Sequence, residues 1–403
     1  MTEIGGTVAP GFEGVEEAFR TNFERHGEVG AGTAVYVGGR KVVDLWGGVA
    51  DVDTGAPYTD DSLQLVFSTT KGATAACANL LAQRGELDID APVAEYWPEF
   101  KAAGKADIPV RWLLCHKAGL PYVDATLTLD EALAWDPVIR ALEEQAPVWE
   151  PGTVHGYHAT TYGWLVGEVV RRISGKSLGT FFHDEFAVPL GLEFWIGLPD
   201  EQQARVAPLI QWAGVLGGGE LETPRDPEMA KLLEQFMGPQ SMLGKALGAP
   251  SFVLNTAEGG FNNPAIRAAE IPAANGVTNA RSLARFYAGL TGTVEGGPAE
   301  PLLTADQVTK ASELQTEGSD QCLFFETTFG LGFFTSSLYA PYGGPKAFGH
   351  TGAGGSVGFT DPEHGIGFGY VMNKMVMGLN GDRRSGGLIK AVYDAIGVTP
   401  TYV

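Results

Sequence analysis

The sequence predicts an α+β fold in which both ends of the chain contribute to one sheet and a mostly helical lobe lies between them. Short β-like runs with glycine-rich turns lie at residues 31–48 and again at 333–372. Between about 88 and 272, apolar residues recur mostly at helical spacing, interrupted by prolines and glycines. Strands at both termini with helices between them favour one sheet assembled from the chain ends. The predicted units are a discontinuous sheet domain, 1–90 and 273–403, and a helical lobe, 91–272.

The individual elements are predicted in chain order. Residues 12–26 carry apolar side chains at helical spacing, which indicates an amphipathic helix. The runs AGTAVYVGG and KVVDLWGG, separated by Gly38-Gly39-Arg40, predict a β-hairpin. An apolar run then ends at Phe67, and a helix-compatible stretch continues to Gly85, a residue typical of a helix C-terminus. Further helices are predicted at 112–115, 129–134, 162–173 and 384–396, and strands at 333–334, 346–350, 356–360 and 366–372.

The composition is that of a globular protein and excludes several classes of partner. The chain has 403 residues, 44% hydrophobic and 19% charged, with a formal net charge of −21. Such a negative surface repels phosphate backbones and anionic lipids, so we expect neither nucleic acid nor membrane as partner. Three scattered cysteines indicate no disulfide framework. Because no secretory signal or membrane-spanning run is evident, we expect a cytoplasmic protein; no pattern indicates an oligomeric state.

The residues Ser68-Thr69-Thr70-Lys71 form an S-x-x-K pattern at the predicted start of a helix. Residues three apart share one helix face, so the Lys71 amine can reach the Ser68 hydroxyl. A serine hydroxyl needs a nearby base or cation to act as a nucleophile, and the helix start adds partial positive charge. The pattern alone recurs by chance. Its position between an apolar run and a helix of small residues makes Ser68 the candidate nucleophile.

A candidate base is Tyr157, which precedes the helix predicted at 162–173. A neighbouring ammonium would stabilise its phenolate, which would then accept the Ser68 proton. The alternative is a packing tyrosine with a hydrated hydroxyl. His155 and His158 form an H-x-x-H pair, but no third ligand stands at a familiar spacing. We therefore expect no metal and no cofactor, and we interpret both histidines as loop or pocket-wall residues.

The segment GHTGAGGS, residues 349–356, lies between two strand-like runs. Its glycines allow a substrate to approach the backbone closely. A free N–H in this segment, for example that of Ala353, can join the Ser68 N–H in binding the oxyanion of a tetrahedral intermediate. The alternative is an ordinary hairpin turn. A phosphate loop is a weaker interpretation because the Walker lysine is absent, and Gly217-Gly218-Gly219 lacks the strand-to-helix setting of a dinucleotide site.

Three separated elements occur in a fixed order: STTK, then PGT-x-x-x-Tyr ending at Tyr157, then HTG beginning at His350. This set resembles the family of class C β-lactamases, DD-peptidases and family VIII carboxylesterases, and the esterase branch is the most similar. The resemblance extends over roughly residues 31–372. Other segments that resemble the family are 85–93, 113–121, 174–178 and 189–192.

The resemblance implies an antiparallel sheet flanked by helices, a mostly helical second lobe and a site between the two. It implies Ser68 as the acylated nucleophile, activated by Lys71 and Tyr157. It also implies that His350-Thr351-Gly352 lies on an edge strand beside the substrate. The Ala353 N–H is then the second oxyanion donor.

Two departures from the family pattern bear on the substrate. The Y-x-N of most β-lactamases reads Tyr157-His158-Ala159, and the lysine of their K-T-G is replaced by His350. The first change removes an amide that contacts the substrate, and a neutral histidine holds a carboxylate less firmly than a fixed cation. Both changes weaken β-lactam recognition and keep the acyl-transfer residues. We therefore expect a serine carboxylesterase whose partner is a small or medium ester.

Two alternatives remain open at this stage. One keeps the mechanism and changes the bond, giving a D-amino-acid amidase or peptidase, or a weak β-lactamase. The other is a binding protein without catalysis on the same fold. The glycine-rich segment 214–275 is predicted to be a loop-rich insertion that shapes the substrate pocket, with ordinary lobe packing as the alternative. The candidate pocket residues in this segment and just before it are Trp212, Leu216, Met242, Phe252 and Phe261.

Overall fold

The computed structural model describes residues 2–210, 235, 238–250, 258–323, 325–376 and 382–402. The strands are β1 (Ile4–Val8), β2 (Gly30–Val37), β3 (Arg40–Asp51), β4 (Ala56–Pro57), β5 (Gln64–Leu65), β6 (Phe194–Trp195), β7 (Val277–Thr278), β8 (Thr316–Ser319), β9 (Glu326–Phe329), β10 (Phe334–Thr335), β11 (Phe348–Thr351), β12 (Val357–Asp361) and β13 (Ile366–Met372). The helices are α1 (Glu13–Arg25), α2 (Thr70–Gln83), α3 (Val93–Tyr96), α4 (Val110–Leu114), α5 (Leu129–Leu133), α6 (Trp135–Glu144), α7 (Thr161–Ser174), α8 (Leu178–Phe182), α9 (Val188–Leu190), α10 (Met242–Gly248), α11 (Pro264–Ala268), α12 (Ala280–Thr291), α13 (Ala305–Ser312) and α14 (Arg383–Ala395).

One large antiparallel sheet joins the two ends of the chain. Its strand order is β1-β3-β2-β13-β12-β11-β10-β9-β8, with β4 paired to β3. The junction is the β2–β13 pair, in which Ile366 lies opposite Val37 and Met372 opposite Ala31. The predicted α+β class and the assembly of one sheet from both termini are therefore confirmed.

Most predicted elements are present with small shifts at their ends. The β2–β3 hairpin turns at Gly38 and Gly39, whose φ angles of 56° and 78° lie in the left-handed region that glycine tolerates best. The observed ends lie within two residues of the predicted ones for helices α1, α2, α4, α5, α7 and α14. For α2 this holds for the C-terminal end, because the sequence predicts no exact first residue. The elements that the sequence does not predict include strands β1, β8 and β9 and helix α12.

Helix α12 covers the centre of the sheet because glycines on β13 leave room for it. A Cβ at Gly367 would lie 2.5 Å from the Ala284 carbonyl oxygen, and one at Gly369 would lie 2.4 Å from that of Ala280. The helix thus packs directly on the strand backbone across β13, β2 and β12. Helix α1 packs on α14.

Helix α2 is the central helix that positions the site. Residues 70–81 are buried without interruption, which fits a sequence of alanines and other mostly small or apolar residues that has no polar face. It packs against α7 and α8, and its first turn contacts β11 of the large sheet. A short 3-10 turn, Phe67–Thr69, leads into it. The beginning of α2 therefore lies between the sheet and the helices of the central part of the chain.

The proposed division into a sheet domain, 1–90 and 273–403, and a helical lobe, 91–272, stays a prediction. A second small sheet with the order β5-β7-β6 crosses that division, because β6 pairs with β7. Of the predicted insertion, Trp212, Leu216 and Phe252 lie outside the described residues. None of the described helices has the length and apolarity needed to cross a bilayer.

Candidate functional site

Ser68 lies in the 3-10 turn that precedes α2, directly after a residue with unusual backbone geometry. Phe67 has a φ of 43°, in a region that residues other than glycine rarely adopt, at a typical cost of about 1–3 kcal/mol. The surrounding hydrogen bonds hold it there: Thr70 Oγ1 donates to the Phe67 carbonyl oxygen at 2.5 Å, and the Val66 N–H donates to that of Gly276 at 2.9 Å. The Ser68 side chain is half-buried. The turn thus holds this hydroxyl in a fixed place at the start of the helix.

The Lys71 amine lies one helical turn from Ser68 and has no solvent exposure. Its Nζ donates to Ser68 Oγ at 2.9 Å, to the Ala159 carbonyl oxygen at 2.6 Å and to the Ala273 carbonyl oxygen at 2.9 Å. Burial lowers the pKa of Lys71 well below its usual range. When the amine loses a proton, its two remaining N–H groups are those that the two carbonyls accept, and its lone pair then accepts the hydrogen bond from the Ser68 hydroxyl. The geometry therefore prepares Lys71 to accept a proton from that hydroxyl.

Tyr157 lies in the loop before α7 and meets both of these residues. Its ring centroid is 4.7 Å from Lys71 Nζ, and the Ser68 side chain is close enough to its hydroxyl to lower the pKa of the phenol. Burial raises the pKa of Tyr157 far more than Ser68 lowers it, and the charge of Asp320 raises it further. The structure thus brings together the three side chains that the sequence analysis selected from two separate segments.

The glycine-rich segment lies directly against the Ser68 turn. A Cβ at Gly352 would be 2.2 Å from both the Val66 carbonyl oxygen and Ser356 Oγ, so this position needs a glycine. Ser356 Oγ donates to the Val66 carbonyl oxygen at 2.9 Å, which fastens the segment to the turn.

The Gly352–Ala353 peptide has a fixed orientation. The Gly355 N–H donates to the Gly352 carbonyl oxygen at 3.1 Å, and Gly354 has a φ of 88°, as expected for the third residue of a type II turn. In a trans peptide the Ala353 N–H points opposite to that carbonyl. This N–H makes no hydrogen bond to any other described residue. It is therefore a donor held in place and still available.

His350 occupies a different setting from the one that the resemblance implies. Strand β11 is not an edge strand, because β12 pairs with it on one side and β10 on the other. The pairs to the two-residue strand β10 end at Gly349, which explains how the following residues still border the site. The His350 ring is fully buried, 4.7 Å from the Phe334 ring and 6.1 Å from the Tyr157 ring.

The His350 imidazole is neutral and has one unused nitrogen. Burial and the nearby Lys71 charge lower the pKa of His350 well below its usual range. Its Nδ1 lies 2.7 Å from the Thr351 carbonyl oxygen, so Nδ1 carries the proton, and Nε2 has no partner among the described residues. A fixed positive charge for a substrate carboxylate is therefore missing at this position.

The two histidines of the H-x-x-H pair have structural partners instead of a metal arrangement. His158 Nε2 accepts the Leu120 N–H at 2.9 Å, so Nδ1 carries the proton and donates to the Gly156 carbonyl oxygen at 2.7 Å. Burial lowers the pKa of His158 to about 3. His155 Nε2 lies 2.8 Å from Thr327 Oγ1. Within the described ranges, no group of three or more His, Cys, Asp or Glu side chains is placed to hold a metal ion.

Two buried residues beside Tyr157 had not been selected from the sequence. Asp320 Oδ1 accepts the Tyr157 N–H at 3.0 Å, and His116 Nδ1 accepts the His158 N–H at 3.1 Å. The aspartate follows a short polar strand and looks like an ordinary turn residue. Neither residue is near Tyr157 in sequence, so only the fold reveals the contact.

Of the residues predicted to shape the pocket, Phe261 lies beside the Ser68 turn. Its ring centroid is 5.0 Å from that of Phe67, edge to face, and its side chain is buried. Met242 begins α10 and is partly buried against the hydrophobic core. Both side chains thus pack in or against the hydrophobic core, and their role in shaping a substrate pocket stays a prediction.

Comparison with known proteins gives consistent results over nearly the whole chain. The sequence pattern of the beta-lactamase family matches residues 15–389. The esterase/beta-lactamase LipL of Mycobacterium tuberculosis is 36% identical over 382 residues, which cover 93% of this chain and 83% of LipL.

Two solved structures share this fold at the same level of identity. A family VIII carboxylesterase is 36% identical with a TM-score of 0.84, and the match covers 98% of this chain and 100% of that one. EstA from Arthrobacter nitroguajacolicus is also 36% identical with a TM-score of 0.84, and the match covers 98% and 99%. Because family pattern, sequence relatives and fold agree over most of its length, the chain belongs to the beta-lactamase family.

Proposed function

We propose that the protein is a serine carboxylesterase that forms an acyl-enzyme at Ser68 and acts on small or medium esters. The observation that carries this proposal is the placement of Ser68 Oγ 2.9 Å from the buried Lys71 amine, which itself lies 4.7 Å from the centre of the Tyr157 ring. A hydroxyl that lies beside a buried amine and a phenol, both already in place, is suited to become a nucleophile. The names of the similar proteins, an esterase/beta-lactamase and a family VIII carboxylesterase, support the same reaction class.

In the proposed mechanism, the Ser68 oxygen attacks the ester carbonyl carbon as its proton passes to the Tyr157–Lys71 pair. The oxyanion that forms accepts hydrogen bonds from the Ser68 and Ala353 N–H groups. The proton is then returned to the alkoxy oxygen, the C–O bond breaks and the alcohol leaves. Water, deprotonated by the same pair, attacks the acyl-enzyme and releases the carboxylic acid together with free Ser68.

The ester is favoured over a β-lactam because of two positions beside Ser68. Ala159 stands where most β-lactamases have an asparagine, and its carbonyl oxygen accepts a hydrogen bond from Lys71. His350 is buried and neutral, so it cannot hold a carboxylate as a fixed cation does. A weak β-lactamase activity is the second candidate, because the name of LipL combines both activities.

Turnover of three substrates separates these activities: a short-chain p-nitrophenyl ester, nitrocefin and a D-alanyl amide. We expect kcat/KM to be highest for the ester. A higher value for the lactam or the amide would reverse the ranking. If none of the three compounds is turned over although one of them binds, the protein is a binding protein on this fold and the proposal is wrong.

A further inference from the structure

Asp320 is a buried carboxylate at the turn between β8 and β9, far in sequence from every residue proposed to act in catalysis. It is 2% exposed. Its Oδ1 accepts the N–H groups of Cys322 at 2.8 Å and Leu323 at 2.9 Å within its own turn. The same oxygen accepts the Tyr157 N–H at 3.0 Å, across 163 positions of sequence. The carboxylate therefore fastens the Tyr157 loop to the end of a hairpin.

A second chain of hydrogen bonds runs from the same carboxylate to the other side of the loop. Thr327 Oγ1 donates to Asp320 Oδ2 at 3.2 Å and, having given its only proton, accepts from His155 Nε2 at 2.8 Å. The Gln321 N–H also donates to the His155 carbonyl oxygen at 3.0 Å. Residues on both sides of position 156 are thus tied to one turn.

The Tyr157 ring rests on the same part of the sheet. Phe329 of β9 stacks on it with a centroid distance of 6.2 Å and an interplanar angle of 12°, and Phe334 of β10 lies 6.1 Å away. The loop around Tyr157 has no regular structure, so its backbone orientation depends on such partners. The β8–β9 hairpin supplies two such partners: Asp320 accepts the Tyr157 N–H, and Phe329 packs on the Tyr157 ring.

We propose that Asp320 is a positioning residue that holds the Tyr157 phenol in place beside Ser68 and Lys71, assisted by Thr327. This inference rests on the proposed function. The β8–β9 hairpin then has a role in acyl transfer although none of its side chains belongs to the proposed catalytic machinery. The same carboxylate also opposes ionisation of the phenol, because its negative charge raises the pKa of Tyr157. Asp320 therefore affects both the place and the charge of the base.

Several titratable groups face Tyr157, and a pH experiment has to separate Asp320 from them. They are Lys71 on α2, His116 after α4, His158 in the same loop, Tyr162 on α7, Tyr342 before β11 and His350 on β11. Burial lowers the pKa of each of the three histidines, which are neutral near pH 7. His155 faces Asp320 itself, with its Nε2 3.9 Å from Asp320 Oδ2. Substitution of Asp320 alone leaves all of these groups in place.

The test compares Asp320→Asn and Thr327→Val with Asp361→Asn as a matched control. Asp361 is a fully buried carboxylate at the end of β12 that accepts the Tyr393 hydroxyl at 2.6 Å, outside the proposed machinery. With p-nitrophenyl acetate, we expect Asp320→Asn to lower kcat by roughly 10- to 100-fold with KM nearly unchanged, as for a misplaced catalytic group. The acid limb of its kcat/KM profile should move to lower pH, because a buried negative charge that favours the protonated form of the Tyr157–Lys71 pair is removed.

The control separates these effects from a general loss of stability. Asp361→Asn should lower the melting temperature and keep kcat within about twofold of the wild type. The acid limb of its kcat/KM profile should stay at the same pH. Thr327→Val keeps the carboxylate, so it should lower kcat without moving the limb. If Asp320→Asn does not fold, Thr327→Val carries the test, and a wild-type kcat in that variant overturns the proposal.

Tyr157→Phe distinguishes failure of this inference from failure of the proposed function. If Tyr157→Phe is impaired while Asp320→Asn has the rate and acid limb of the wild type, Asp320 does not position the base. If Tyr157→Phe itself keeps the wild-type rate, the proposed role of Tyr157 is wrong, and the positioning proposal is overturned with it.

Discussion

Lys71 Nζ lies 2.9 Å from Ser68 Oγ, and two backbone carbonyl oxygens, of Ala159 and Ala273, accept hydrogen bonds from the same amine. One carbonyl comes from the loop before α7 and the other from the segment between α11 and β7, and both face the start of α2. This arrangement fixes the direction of the amine by backbone groups alone. The arrangement depends on backbone positions that the fold sets, and not on a salt bridge.

Substitution Lys71→Met should abolish most of the esterase activity while the fold remains. The amine that accepts or relays the Ser68 proton is lost, so we expect kcat/KM to fall by about 10³-fold or more. Lys105→Met is the matched control, because Lys105 is also fully buried and donates to two carbonyl oxygens, those of Glu143 and Gln145. Equal losses in the two variants would show that burial, and not catalysis, explains the effect.

Substitution Gly352→Ala should push the glycine-rich segment away from the Ser68 turn. The added Cβ would lie 2.2 Å from the Val66 carbonyl oxygen, which cannot move without the turn. We expect a loss of about 1–3 kcal/mol in the free energy of unfolding and a drop in kcat of about 100-fold. Gly386→Ala in α14 meets nothing within 4 Å and should keep both values or increase stability. A Gly352→Ala enzyme with wild-type kcat would contradict the proposed place of Ala353.

The buried His158 predicts a loss of stability in acid. Its pKa is about 3 in the folded protein and about 6.5 in an unfolded chain, so the unfolded state binds the extra proton. The corresponding stability is complete above about pH 6.5 and is lost as the pH falls towards 3. In urea unfolding between pH 6 and 4, His158→Gln should reduce the slope of stability against pH by about 1.4 kcal/mol per unit. An unchanged slope would show that His158 does not titrate on unfolding.

Arg384 should be essential for the stability of the turn that carries Ala353. Its fully buried guanidinium donates to the Gly354 carbonyl oxygen at 2.9 Å and to Glu28 Oε1 at 2.8 Å. Arg384→Met leaves the Glu28 carboxylate buried without its cation, at a cost of about 3–5 kcal/mol in urea unfolding. Lys390→Met, which breaks the exposed pair with Asp394, should cost less than about 1 kcal/mol. Similar costs for both would contradict the importance of burial.

Elements with a strong local pattern could be predicted from the sequence. Helix α1 has Val15 and Phe19 on its buried face, and the β2–β3 hairpin has glycines at the turn. Helix α12 also carried such a signal, since Asn279 caps it and its apolar residues lie on one face, although it had not been predicted. Strands β8 and β9, TEGS and ETTF, have little apolar character, and their pairing with each other and with β10 explains them.

In the site, too, contacts between residues close in sequence could be predicted, and contacts between distant residues could not be predicted from local patterns. Ser68 lies in the 3-10 turn and Lys71 in the first turn of α2, three residues further on, so their contact followed from helical geometry. The place of Tyr157 needed the family resemblance in addition, because a loop tyrosine has no geometric signature of its own. Asp320 could not be found, because its role depends on a hydrogen bond to a loop 163 positions away.

The nature of the acylated residue tests the central claim most directly. After reaction with a p-nitrophenyl phosphonate ester, mass spectrometry of the intact protein should show one adduct, and peptide mapping should place it on Ser68. Ser68→Ala should remain folded and carry no adduct. An adduct on another side chain, or equal labelling of Ser68→Ala, would contradict the assignment of Ser68 as the nucleophile.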